Sequence, residues 1–146
     1  TSTGHHRATA FSDYLRIHNL ETDLIEHANK FTVEEGHRVL TKLLAKDNTF
    51  TAIVAGNDLL ALGCIDAMKE IGLHVPENIS VTGYDDILFL NRMSPALTTV
   101  SVPKYGMGAQ AMKTLMEMIG GEQNAPVVLR MQPRLVVRNS TAVASR

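Results

Sequence analysis

The sequence predicts an α/β fold built on a parallel sheet, and three observations lead to it. Segments with the apolar period of a helix alternate with short runs of β-branched residues almost throughout. The strand-like runs end in Gly, Asn and Asp, residues that turn a chain sharply toward the next element. Neither a low-complexity stretch nor an internal repeat interrupts this alternation.

In chain order, a first helix is expected over His6 to His18, with Phe11, Tyr14 and Leu15 on its inner face. A short strand near Leu24-Ile25 follows. Thr32-Val33-Glu34-Glu35 has the form of a capping box, a hydroxyl followed three residues later by a carboxylate. It opens a helix with the apolar stripe Val39, Leu40, Leu43 and Leu44. Thr51 to Ala55 reads as a buried strand. Gly56-Asn57-Asp58 then turns the chain into a helix from Leu59 to Ile71, stopped by Gly72.

Leu73 to Asn78 is a return loop, and Ile79 to Thr82 is the next strand, ending at Gly83-Tyr84-Asp85-Asp86. An apolar loop, Ile87 to Pro95, leads to the strand Leu97 to Val100. Pro103 precedes a long helix from Tyr105 to Ile119, with Met112, Leu115, Met116 and Ile119 on one stripe, and Gly120-Gly121 ends it. Two extended runs, Val127 to Leu129 and Arg134 to Val137, precede a polar tail.

Composition narrows the function. At 146 residues, with 45% hydrophobic and 20% charged, the chain has the make-up of one ordinary globular domain. No apolar run approaches the roughly 18–20 residues that span a bilayer, so no membrane partner is expected. A net charge of −1 argues against a nucleic-acid surface on this segment, since such surfaces carry a basic stripe. The lone Cys64 excludes an internal disulfide and fits a reducing cytoplasm. No signal-peptide pattern is present, and the opening Thr1-Ser2-Thr3-Gly4 reads as an internal stretch of a longer chain. His5-His6 lacks a third ligand at a recognised spacing, so neither a metal nor a cofactor is expected.

Ligands of open α/β sheets bind beyond the carboxyl ends of the strands. Phe31, Asn57 and Asp85 each follow a predicted strand, and Arg7 stands at the front of the first helix. A flat ring, an amide, a carboxylate and a guanidinium on one rim suit a sugar or nucleoside. The polar groups bond vicinal hydroxyls, and the ring covers an apolar face. Each residue also has a plain structural role. Asn57 is a good helix N-cap, and Asp85 or Asp86 suits an Asx turn. Phe31 suits a hydrophobic staple, and Arg7 a solvated surface charge.

Enzyme patterns fail in context, and no catalytic residue is assigned. Gly106-Met107-Gly108-Ala109-Gln110-Ala111 matches a dinucleotide fingerprint in letters, but its glycines lie inside a helical pattern. No acidic residue follows at about the twentieth position, where a ribose contact belongs. Asp85-Asp86 with Asp58 and Lys104 suggests a phosphorylatable receiver, yet the paired carboxylates come too late in the strand order. Cys64 sits among apolar neighbours in a helix and reads as a core residue rather than a nucleophile.

Four ordered motifs carry a family resemblance. Thr51 to Gly63 resembles the strand, Asn-Asp turn and helix of the lactose/galactose repressor family. Val75 to Asp86 is similar to its Val-Pro…Gly-Tyr-Asp-Asp segment. Ser94 to Val100 follows at the family distance, and Arg134 to Thr141 closes the region in the family's manner. Arg7-Ala8-Thr9-Ala10-Phe11 is similar to the family's Arg-x-x-Gly-Phe, with Ala10 in place of Gly.

The resemblance implies a three-layer, parallel-sheet sandwich of the type I periplasmic-binding-protein kind. It implies that residues 1–100 and 127–141 form the C-terminal lobe of an effector-binding and dimerisation domain. Residues 101–126 are then a crossover to a first lobe, and a helix-turn-helix DNA-binding domain lies outside the chain. Arg7, Asn57 and Asp85 would hydrogen-bond the effector (a sugar, sugar phosphate or nucleoside-like metabolite), and Phe31 would stack on it. Leu59, Leu62, Asp66, Leu88, Phe89, Leu90 and Met93 would form a homodimer interface. The function implied is effector sensing by a cytoplasmic transcriptional repressor. A sugar-binding protein that feeds a transporter has the same architecture and is the alternative.

Overall fold

The computed structural model describes residues 2–20, 24–47, 49–122 and 125–143. Its elements run in the order α1 (Ser2–Ile17), α2 (Val33–Lys46), β1 (Ala52–Val54), α3 (Asp58–Glu70), β2 (Ser80–Asp85), β3 (Thr98–Ser101), α4 (Lys104–Ile119) and β4 (Arg134–Val136). A 3-10 turn, Leu88–Arg92, lies between β2 and β3.

The sheet has the order β1-β2-β3-β4. β1 and β2 run parallel, as do β2 and β3, while β4 joins β3 antiparallel. The α/β expectation therefore holds, with an antiparallel edge strand on an otherwise parallel sheet. Side chains alternate across a strand, and the register places Ile53 beside Val81, and Gly83 beside Thr99. This face is buried and carries α3, and α2 packs on α3 in turn. The core is Leu40 of α2, Leu60, Ala61, Cys64, Ile65 and Met68 of α3, and Ile53, Val81 and Leu97 from the sheet side. Full burial of a side chain such as Leu40 or Met68 contributes about 1.5–3 kcal/mol.

Both helices of this layer start on side-chain caps. Thr32 Oγ1 accepts the Glu35 N–H, but the Glu35 carboxylate accepts from Asn29 N rather than returning to Thr32, so the box is only half closed. At α3, Asn57 Oδ1 accepts the Leu60 N–H at 2.9 Å. The two helices meet glycine to glycine. A Cβ on Gly36 would collide with the Leu60 backbone, and one on Gly63 with the Val33 carbonyl oxygen and the His37 nitrogen.

Several expectations are corrected. The first helix begins at Ser2, and Tyr14 lies outward against the His18 ring. Leu24-Ile25 is not a strand: among the described residues this segment has no ladder partner. It is tied instead to α2 by Glu26, which pairs with Lys42 and Lys46. Val127 to Leu129 is likewise without strand pairing, and β4 is confined to Arg134–Val136. β2 extends through Asp85, so Gly83 and Tyr84 belong to the strand. No side chain of α4 is buried, and its stripe of Met112, Leu115, Met116 and Ile119 faces outward.

Leu90 is also corrected, from a dimer-interface residue to a core residue. The 3-10 turn points it inward to seal the end of the core, and it is 2% exposed. Met93 and Leu62 lean partly on the same core. Leu88 and Phe89 stay at the surface with Asp66, and Leu59 is half-buried.

Candidate functional site

Three elements converge at the carboxyl ends of β1 and β2: the N-terminal half of α1, the turn into α3 and the end of β2. Arg7 links them. Its Nη1 donates to the Gly56 carbonyl at 2.6 Å, and its Nη2 meets Asp85 Oδ1 at 3.4 Å. Its guanidinium carbon lies 3.7 Å from the centroid of the Tyr84 ring and 6.0 Å from that of Phe31. A cation held over an aromatic face is attracted by the ring's negative face, the more strongly when partly desolvated.

Phe31 does not staple α2, because the residue a staple would need, the fourth of the helix, is Gly36 and has no side chain. Its ring instead leans on the core and beside Gly56. Asn57 is buried and caps α3 through its oxygen, which leaves the amide nitrogen as a donor at the rim. The structure thus brings Arg7, Phe31 and Asp85 together around Gly56, with Asn57 directly behind.

Asp85 and Asp86 both adopt positive φ, 115° and 56°. Such backbone costs on the order of 1–3 kcal/mol per residue and persists only where the surroundings impose it. Burial raises the Asp85 carboxyl above its ordinary value. The Arg7 charge opposes that rise, Asp58 adds to it, and Lys104 opposes it. Asp86 moves the other way, because Arg138 donates to its carboxylate at 2.7 Å.

Asp58 is 0% exposed and holds the site from beneath. Its Oδ1 accepts from Thr99 Oγ1 at 2.5 Å, and its Oδ2 accepts the Ile87 N–H at 2.8 Å. A Cβ on Gly83 would collide with this carboxylate, which explains a glycine in mid-strand. Closed to solvent in this way, Asp58 is removed from the phosphoryl-accepting role of a receiver. Burial likewise pushes the Cys64 thiol up to about 12, so it stays an inert core thiol.

Sequence reasoning missed Tyr84 and Arg138 as parts of this site, and it grouped Asp58 and Lys104 with Asp85 and Asp86 only as a phosphorylatable receiver. Tyr84 carried a signal, since it stands next to Asp85 in the turn expected after the strand. The long-range partners of Asp58 and Arg138 carried none. A separate apolar cavity of about 470 Å³ lies between α4 and the Val127–Pro133 run, and it meets the rim only at Tyr84. Among the described residues, no group of three or more His, Cys, Asp or Glu side chains is placed to hold a metal ion, and no helix is long and apolar enough to cross a membrane.

The mixed, mostly parallel sheet, with polar and aromatic side chains gathered at its strand ends, is an open α/β lobe, the class of fold in which ligands bind beyond the carboxyl ends of the strands. The periplasmic binding protein-like domain model matches residues 1–141, and the chain belongs to that family. It is 39% identical over 130 residues to the HTH-type transcriptional regulator MalR of Streptomyces coelicolor, a match covering 89% of this chain and 37% of that protein. It is 43% identical over 110 residues to the HTH-type transcriptional repressor PurR of Pasteurella multocida, covering 75% and 33%. Among solved structures, a LacI family transcriptional regulator from Enterococcus faecium with bound ribose superposes with a TM-score of 0.85 at 29% identity, covering 95% of this chain and 52% of that one. The chain thus spans about a third of the length of these curated relatives. The relatives are transcription regulators by name.

Proposed function

We propose that this chain is the effector-sensing and dimer-forming part of a helix-turn-helix transcription regulator whose ligand is a sugar or sugar-like metabolite. One observation carries the reading: a guanidinium, a carboxylate and two aromatic rings meet at the ends of adjacent parallel strands. Arg7 and Asp85 bond neighbouring hydroxyls, the Asn57 amide adds a donor, and Phe31 covers the apolar face of the ring. A sugar suits this set better than an apolar ligand does, because it satisfies polar groups that are already partly desolvated.

In this reading residues 1–100 and 127–141 are the C-terminal lobe, and residues 101–126 cross to a first lobe. The wholly unburied α4 supports that division. A homodimer forms through Leu59, Leu62, Asp66, Leu88, Phe89 and Met93, and operator DNA is bound by a domain outside this chain. Ligand binding shifts the lobes by as much as its affinity differs between their two arrangements, and operator affinity follows. The regulator acts in the cytoplasm and needs no cofactor.

The test begins with a thermal-shift screen of sugars, sugar phosphates and nucleosides on the intact regulator. Calorimetry then compares native protein with the Asp85→Ala variant against the strongest hit. Loss of a charged hydrogen bond is expected to weaken binding by about 1.5–3 kcal/mol. Unchanged affinity overturns the assignment of Asp85.

A further inference from the structure

Asp85 and Asp86 are held in two different ways. Arg138 grips the Asp86 carboxylate at 2.7 Å and the Leu97 carbonyl at 2.8 Å, which anchors that residue to the body of the sheet. The Asp85 carboxylate meets Arg7 at 3.4 Å, beyond the usual hydrogen-bond range, and is partly open to solvent. The Asp86 side chain is therefore anchored, whereas the Asp85 side chain, at the end of β2, is held only loosely.

Lys104 reads the backbone of the same turn. Its Nζ donates to the carbonyl oxygens of both Asp85 and Asp86, which the two positive φ values bring within reach of one ammonium. An ammonium carries three donors and no acceptor, so it serves both carbonyls at once. Lys104 is also the first residue of α4, separated from β3 only by Val102 and Pro103. The helix start and the rim turn thus share a single cation.

We propose that Lys104 is a positioning residue that couples the Asp85–Asp86 turn to the start of α4, so that a change at the effector rim is passed into that helix. The coupling rests on Asp85 being an effector contact. A ligand hydroxyl that draws on the loosely held Asp85 carboxylate shifts the Asp85 side of the turn. The Asp85 carbonyl shifts relative to the anchored Asp86, and the lysine, which bonds both carbonyls, carries the first turn of α4 along. The carrier is a discrete contact between two elements rather than mere nearness in space.

Amide hydrogen exchange on the intact regulator, recorded without ligand, tests the coupling as a double-mutant cycle. The reporters are Met107 to Gln110, the first α4 amides that bond back within the helix, beginning with Met107 N to the Pro103 carbonyl at 2.9 Å. Asp85→Asn removes the ion pair to Arg7 and is expected to speed exchange there by about fivefold while Lys104 is present. In the K104M background, which keeps the stem and loses the donors, the increment from Asp85→Asn is expected to vanish. In the K104R background it is expected to return. A purely structural Lys104 would give faster exchange in K104M yet leave the increment intact, and that result overturns the coupling. So does an Asp85→Asn variant with no effect on α4 in the native background. The calorimetry of Asp85→Ala decides the effector reading separately, so the two fail independently.

Discussion

Asp58 touches no residue of the rim's polar set directly, yet its carboxylate joins three segments of chain. It takes the Thr99 hydroxyl from β3 and the Ile87 N–H from the turn after β2, while its own backbone starts α3. Truncation leaves both donors without a partner inside the protein, and an unmet buried donor costs about 1–3 kcal/mol. Asp58→Ala is therefore expected to lower stability by about 3 kcal/mol in urea denaturation followed by circular dichroism. A change under about 0.5 kcal/mol, the range of ordinary surface substitutions, would show that the network is not structural. Asn57, one residue earlier, was legible from sequence because an N-cap is a local event governed by the next three residues. The role of Asp58 was not, since its partners lie 29 and 41 residues away. Tyr84 falls between these cases. Its place beside Asp85 was readable, but its stacking on Arg7 depends on a contact 77 residues away in sequence.

At the scale of elements, the contact of α2 with α3 depends on two hydrogen atoms where side chains normally stand. Gly36 and Gly63 let the backbones touch, and the Cys64 thiol donates to the Gly36 carbonyl at 3.6 Å. Gly63→Ala must push the helices apart, and overpacking of this kind costs about 1–3 kcal/mol, with more where backbone has to move. The expected readout is a lower urea midpoint with an unchanged m-value. Alanine tolerated at position 63 would mean that the helices slide freely. The sequence displayed these glycines only as irregularities in helical patterns, where packing reasons cannot be told from chance.

The segment before α2 was misread for a related reason. Its apolar pair Leu24-Ile25 suggested a strand, but charge decides its place. Lys42 and Lys46 hold the Glu26 carboxyl at about 2, below its ordinary 4.5. A depressed carboxyl favours the folded state above the ordinary value and loses that contribution as pH falls through the lower one. The clamp is thus complete above about pH 5 and released near pH 2. Carbon NMR of the Glu26 carboxyl is expected to titrate near 2, and to return toward 4.5 when both lysines are replaced by methionine. Titration near 4.5 in the native chain would dissolve the clamp.

For the molecule as a whole, the alternation of helix and strand was legible because each parallel pair needs a crossover, and crossovers impose that rhythm. The antiparallel entry of β4 was not, because nothing in Arg134-Leu135-Val136 encodes direction. The apolar residues of the turn after β2 divide between buried and exposed positions. Leu88 is 81% and Phe89 52% exposed, whereas Leu90 beside them is sealed. On the dimer reading, Phe89→Glu in the intact regulator is expected to weaken self-association by at least about tenfold in sedimentation equilibrium while leaving the unfolding transition in place, as for an interface hot spot. A dimer insensitive to that change would move the interface elsewhere.

The tail after β4 is also tied to the sheet. Ser140 is fully buried between β2 and β3: its Oγ donates to the Val81 carbonyl and accepts the Thr98 N–H, and its backbone takes the Val81 N–H and donates to the Ala96 carbonyl. On a ribosome, β2 and β3 emerge well before this serine, and their adjoining ends stay unsealed until it leaves the exit tunnel. A chain that stops just before this serine would therefore have a gap in its central layer, and quality-control proteases would meet the open Val81 and Thr98 amides that Ser140 otherwise occupies.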